Sequence, residues 1–173
     1  MVMCSPVTVA PVSKIIVWDT EANGLTPDRL HCIVMQELGS DHFYECTGTN
    51  DEIGKQFLKG IKEGYTYVAH NQLGYDFPVL ESLCGIGYSI APDIIAGRGC
   101  QIIDTLVLSR ELNPDRLGGH SLKAWEERVT GKKPLVEDWE DQPIEVYLHR
   151  CREDVKLTGN VLLALLKEAE IEI

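Results

Sequence analysis

Apolar and polar positions divide this chain into short β-type runs followed by helix-type stretches. Lys14 to Trp18 (KIIVW) is apolar on successive residues and rich in β-branched side chains, the pattern of a buried strand. A turn is predicted at Ala22-Asn23-Gly24, with Pro27-Asp28 just beyond. His31 to Leu38 and His42 to Thr47 read as two further strands, joined by a hairpin turn at Gly39-Ser40-Asp41. Asn50 or Asp51 is predicted to cap a helix running to about Glu63, where Gly64 stops it. Thr66 to Ala69 (TYVA) reads as a fourth strand, and Tyr75 to Cys84 as a helix ending at Gly85. Gln101 to Ile103 reads as a fifth strand, after which Asp104 or Thr105 opens a helix through Glu111. Ser121 caps another helix through about Val129, and 130–142 reads as loop. Pro143 suits the first position of a long helix through about Ala169. Three meandering strands followed by alternating strands and helices predict an α/β fold, a mixed five-stranded sheet flanked by helices. Residues 1–12, rich in Val, Pro and Ser, read as a flexible N-terminus, and 13–173 as a single domain.

Composition narrows the class. With 44% hydrophobic and 25% charged residues the chain reads as an ordinary soluble globular protein. No apolar run is long enough to span a bilayer, and the N-terminus lacks a basic flank before an apolar core, so a cytoplasmic location without a membrane partner is expected. The six cysteines form no C-x-x-C pair, which argues against a zinc site. They read as small core hydrophobes of a reducing compartment, although an even count also permits disulfides. The net charge of −11 argues against a protein that coats long duplex DNA, which needs a basic face. It is compatible with an enzyme that grips a few nucleotides at a chain end. Part of the negative charge is what a Mg²⁺ site requires.

Four acids are candidates for such a site. Asp19 and Glu21 follow the first strand with one residue between them, so they point to the same face. Side by side against an apolar core, they stay ionised together only if cations compensate. The competing reading is a polar strand exit, since a lone D-x-E is common. Asp76 closes the segment His70-Asn71-Gln72-Leu73-Gly74-Tyr75-Asp76 and sits in the first turn of a helix, where a carboxylate also suits the helix dipole. Asp154 is the most informative of the four. At 3.6 residues per turn it shares a face with Tyr147, Cys151, Val161 and Leu165. An aspartate in an apolar stripe is costly unless it is paired or bound to metal. Trp18 and Trp125 read as core residues and Trp139 as an exposed loop residue. Lys132 and Lys133 form the one compact basic pair, and Glu137, Asp138, Glu140 and Asp141 read as a solvated acidic loop. His31 and His42 read as strand-end residues, and His120 as a solvated loop residue.

D-x-E after the first strand, H-N-x-x-x-Y-D after a middle strand and R-E-D-V-K-L-T on the last helix together resemble the DEDD (DnaQ-like) 3′→5′ exonuclease superfamily. The nearest resemblance is to the proofreading exonuclease domain of short-tailed-phage family A DNA polymerases, here as a standalone domain. It covers Ile15 to Leu166 and extends to IIDTLVLSR (102–110) and GGHSLKAWEERVTGKKP (118–134). The resemblance implies a ribonuclease-H-like fold and two divalent ions, Mg²⁺ or Mn²⁺. Asp19 would bridge both ions, Glu21 and Asp154 would complete one site, and Asp76 would serve the other. Leu25 and Asn71 match positions that flank the terminal nucleotide.

The family also carries a group that orients the attacking water, either a tyrosine four residues before the last aspartate or a histidine five before it. Here those positions hold Arg150 and His149. The spacing therefore assigns the histidine branch, with His149 as catalytic base, although the phage domains belong to the tyrosine branch. In an ideal helix His149 lies about 140° around from Asp154 and Arg150 only about 40°, so a histidine base requires a late or deformed helix start. An arginine cannot act as a base, but Arg150 can contact a phosphate of the substrate. Tyr147, two turns from Asp154, is a weaker candidate.

The resemblance implies action on nucleic acid 3′ ends, with single-stranded DNA preferred and RNA as the alternative substrate. A polymerase or recombination partner and a bacterial, phage or prophage origin fit it. The competing class is a nucleic-acid-binding module that keeps the fold without chemistry. Retention of all four acids argues against that class, because a module without metals would gain stability by losing them.

Overall fold

A computed structural model of the chain describes residues 14–86, 97–129 and 142–171. The N-terminal segment 1–12, the acidic residues Glu137, Asp138, Glu140 and Asp141, Lys132, Lys133 and Trp139 lie outside the described residues. The elements are β1 (Ile15–Ala22), β2 (Leu30–Glu37), β3 (Phe43–Thr47), α1 (Asn50–Gly60), β4 (Thr66–Ala69), α2 (Asp76–Cys84), β5 (Gln101–Asp104), α3 (Thr105–Leu112), α4 (Leu122–Glu126) and α5 (Ile144–Glu168).

The sheet order is β3-β2-β1-β4-β5. β1 and β2 pair antiparallel, as do β2 and β3, whereas β1–β4 and β4–β5 are parallel. This is the expected mixed sheet, with β1 at its centre. Ile15 and Val17 face α5 and pack with Val34, Val68, Cys151, Val155 and Leu162. Ile16 and Trp18 face α1 and α2 and pack with Ile33, Ile53, Phe57, Phe77 and Leu80. Trp18 is fully buried, its ring 5.0 Å from that of Phe57 and 5.5 Å from that of Phe77. Its indole N–H donates to Gln72 Oε1 at 3.1 Å, the hydrogen bond a buried tryptophan needs. α3 and α4 lie outside α5, where Trp125 packs on Val161 and Leu165. Trp18 and Trp125 are thus both core residues. The described cysteines, Cys32, Cys46, Cys84, Cys100 and Cys151, are free thiols. Among the described residues no helix is long and apolar enough to cross a membrane.

Several boundaries differ from the sequence reading. β1 continues past Trp18 to Ala22, because Asp19, Thr20 and Glu21 pair with Val34, Ile33 and Cys32 of β2. A non-local ladder thus overrides the polarity of these residues. The cap of α1 is Thr49, one residue earlier than expected. Its hydroxyl accepts the Glu52 amide, while the Glu52 carboxylate accepts the Thr49 amide at 2.8 Å, a reciprocal capping box. Asn50 instead accepts the amide of Leu30. α1 ends at Gly60, and Gly64, at φ +73°, turns the chain into β4. Pro143 is the N-cap residue of α5 rather than its first helical residue, and α4 is a single short turn ending at Glu126.

α1 and α2 approach closely at Gly54. A Cβ there would stand 2.8 Å from Cys84 Cβ and 3.1 Å from Ile86 Cδ1. Gly54→Val should therefore lower stability by about 2–3 kcal/mol, the usual cost of overpacking. Thermal melting reads this directly, and an unchanged midpoint would show that the helices do not meet here.

Candidate active site

β1 delivers Asp19 and Glu21 to the α5 side of the sheet, on the same alternation that buries Ile15 and Val17. α5 crosses that face and delivers Asp154, which is buried like its neighbours Cys151 and Val155. One ligand oxygen from each of Asp19, Glu21 and Asp154 falls within a group whose members lie no more than 4.8 Å apart. The three acids line a cavity of about 420 Å³, a usual size for a ligand site. Asp76, His70, Tyr75, Asn71, Leu25 and Arg150 also line it.

Asp76 stands outside the group of three and reaches the cavity from the first turn of α2. It is buried, and its Oδ1 accepts the Thr20 hydroxyl at 2.5 Å. Thr20 points to the opposite face of β1 from Asp19 and Glu21, so the central strand holds acids through both of its faces. Burial raises the Asp76 carboxyl to about 6, although the Thr20 hydrogen bond pulls the other way. Between about pH 4 and pH 6 the native chain therefore binds more protons than the unfolded one. The metal-free fold is favoured below that window and loses stability as pH rises through it. Asp76→Asn should stabilise the protein by about 1–3 kcal/mol at pH 8 in a chelator and leave it unchanged near pH 4. Urea unfolding at the two pH values checks this, and an equal gap at both would contradict it.

The segment between β4 and α2 is stapled to β5. Asp104 Oδ1 accepts the amides of Asn71 (2.9 Å), Leu106 (3.0 Å) and Val107 (3.4 Å), and Oδ2 accepts that of Leu73 (3.1 Å). One buried carboxylate thus caps α3 and fixes the loop that carries Asn71 and Asp76. Gln72, fully buried, donates to the Ile103 carbonyl at 2.7 Å. Asn71 adopts φ +67°, a left-handed conformation that asparagine tolerates. A Cβ on Gly74 would fall 2.5 Å from Asn71 Oδ1, so a larger residue here would displace the Asn71 side chain. His70 Nδ1 lies 2.9 Å from the Thr105 hydroxyl. Tyr75 donates its hydroxyl to the Gly24 carbonyl at 2.6 Å, tying the loop after β1 to the mouth of α2. Burial, reinforced by Asp76, Glu21 and Asp19, pushes the Tyr75 phenol up to about 12 and keeps it a donor. Burial also raises the Cys151 thiol, which lies 3.3 Å from the Asp19 carbonyl and 3.7 Å from Asp19 Oδ2.

The predicted water-orienting residue is placed otherwise than expected. His149 is exposed and does not line the cavity. α5 is helical without a break from Ile144, so the undeformed helical phase turns His149 away and Arg150 inward. Arg150 Nε lies 2.9 Å from Glu21 Oε1. Tyr147 is buried, stacks on His31 at 3.8 Å between ring centroids and does not line the cavity. His31, the second residue of β2, lies at the strand end as read and is buried as well. His120 Nδ1 lies 2.9 Å from the Ser109 hydroxyl, outside the cavity. Leu25 is 92% exposed at the mouth.

Against solved structures, the chain superposes on E. coli exonuclease I in complex with a dT13 oligonucleotide, with a TM-score of 0.50 and 13% identity. The alignment covers 88% of this chain and 40% of that one. The fold is ribonuclease-H-like. A zinc-ion-bound form of the E. coli ExoI–ssDNA complex aligns at a TM-score of 0.44 and 13% identity, over 90% of this chain and 40% of that chain. The chain thus spans less than half the length of these neighbours. No protein-family model matches the chain, and no curated protein matches it. These comparisons carry the fold and not the finer resemblance to phage polymerase domains.

Of the residues that build the site, the sequence reading leaves out Thr20, takes His70 and Tyr75 only as letters of the H-N-x-x-x-Y-D motif and takes Asp104 only as a helix cap. Each is tied in by a hydrogen bond to a residue far along the chain, and no local pattern reports that.

Proposed function

We propose that the chain is a metal-dependent 3′→5′ exonuclease that hydrolyses phosphodiester bonds at the 3′ end of single-stranded DNA and releases nucleoside 5′-monophosphates. One observation carries the reading. Three carboxylates from β1 and α5 converge within 4.8 Å in a cavity large enough for a nucleotide, inside a ribonuclease-H-like fold. Like charges so close and so buried are a poor structural choice unless cations neutralise them.

The donor set is all oxygen and fits a hard divalent cation, Mg²⁺ or Mn²⁺, rather than a soft one. Asp19, Glu21 and Asp154 would hold one ion, and Asp19 with Asp76 a second. Bound there, the ions supply positive charge to the attacking and leaving oxygens. The chain's own residues do the rest. Leu25 and Asn71 flank the terminal nucleotide at the mouth, and Tyr75 fixes the loop that carries Leu25 through Gly24. Asp104 and Gln72 hold the Asn71–Asp76 segment, so substrate meets a preset geometry. His149 is assigned no role here, since its side chain is exposed away from the cavity.

The test is parallel digestion of 5′-labelled single-stranded DNA, duplex DNA and RNA with Mg²⁺ or Mn²⁺. Stepwise shortening of the labelled single strand supports the reading, and preference for the RNA arm moves the substrate to RNA ends. A second reading, a binding module without chemistry, draws on the Arg150–Glu21 pair, which already places a cation among the acids. It predicts oligonucleotide binding without shortening.

A further inference from the structure

We propose that Arg150 is a built-in counter-cation that competes with divalent metal for Glu21 and holds down the metal affinity of the site until a phosphate arrives. The inference rests on the exonuclease reading and deepens it by assigning a role to the residue that stands where the tyrosine branch carries its tyrosine.

Arg150 lies one turn before Asp154 on α5, and side chains four apart share a helix face. Its guanidinium therefore projects over the same cavity as the acids. Nε stands 2.9 Å from Glu21 Oε1, with side-chain exposures of 13% for the arginine and 6% for the glutamate. A pair so withdrawn from water is not screened like a surface pair. Glu21 belongs to the group of oxygens within 4.8 Å, so the arginine sits on a prospective metal ligand. Guanidinium stays charged at any working pH and cannot be neutralised out of the way. A divalent ion entering at Glu21 must displace Arg150 or share the carboxylate with it, and either lowers its affinity. Once displaced, the planar guanidinium needs an anionic partner in a cavity that opens to solvent. A phosphate oxygen of a nucleotide fits it in charge and geometry. Metal would then take the carboxylates while arginine takes the phosphate, so each ligand tightens binding of the other.

The experiment is Mn²⁺ titration of the full chain by calorimetry, with electron paramagnetic resonance of free Mn²⁺ as a second readout. Wild type, Arg150→Gln, Arg150→Lys and Asp19→Asn are compared without nucleic acid. Arg150→Gln should bind Mn²⁺ about tenfold more tightly than wild type, as expected for removing a neighbouring positive charge. Arg150→Lys, which keeps the charge, should stay within about twofold of wild type. Asp19→Asn should bind weakly, which places the ion at this site. Adding a nucleoside 5′-monophosphate should tighten Mn²⁺ binding more in wild type than in Arg150→Gln. Circular dichroism checks folding, and Arg150→Met replaces the glutamine variant if that does not fold. Equal or weaker Mn²⁺ binding by the neutral variant overturns the proposal and leaves the exonuclease reading standing. No binding at millimolar Mn²⁺ by either wild type or the neutral variant overturns both. Binding by the neutral variant alone supports the competition in its strongest form.

Discussion

Asp19→Asn should lower the rate of metal-dependent shortening by about 10³-fold or more, a loss of at least ~4 kcal/mol of transition-state stabilisation. In the proposed function Asp19 would serve both ions, so its loss would weaken both sites at once. The substitution keeps size and shape, and it removes one of three like charges packed within 4.8 Å. The protein should therefore fold normally, with a melting temperature equal to or above that of wild type in a chelator. Single-turnover digestion of a labelled oligonucleotide, beside a thermal melt, separates the two effects. A fully active variant would remove the proposed chemistry, and a strongly destabilised one would mean that Asp19 is a structural residue.

The second large effect belongs to a residue that touches no substrate. Asp104→Ala should destabilise the chain by about 3–5 kcal/mol. Four backbone amides lose their acceptor at once, and hydrogen bonds to a charged group are worth about 1.5–3 kcal/mol each, less where they share an oxygen. Asp104→Asn retains one acceptor oxygen and should lose only about 1–2 kcal/mol. In that milder variant the loop bearing Asn71 and Asp76 loosens, so kcat should fall more than KM rises. Urea unfolding gives the stability ranking. Equal stability of Asp104→Ala and wild type would show that these amides find other partners.

Apolar runs and helical phase made most of the fold legible in the sequence. The continuous apolar, β-branched run KIIVW located the central strand, and helical phase placed Asp154 with Cys151 on the buried face of α5. What escaped was non-local. β1 runs on through Asp19, Thr20 and Glu21 only because β2 pairs with it, and its polar letters alone read as an exit from the strand. The Asp104 staple joins residues 31 and 33 positions apart, and no window along the chain contains both ends. For the water-orienting position one turn before Asp154, two cues conflicted. Family spacing pointed to His149, and helical phase pointed to Arg150. The unbroken start of α5 follows the phase and turns Arg150 into the cavity.

The most direct measurement is anomalous X-ray scattering from crystals of the protein soaked in Mn²⁺. A manganese peak is expected between β1 and α5, with oxygens of Asp19, Glu21 and Asp154 at about 2.1–2.2 Å from it. A peak held only by other side chains, or none between these three at saturating Mn²⁺, would contradict the account.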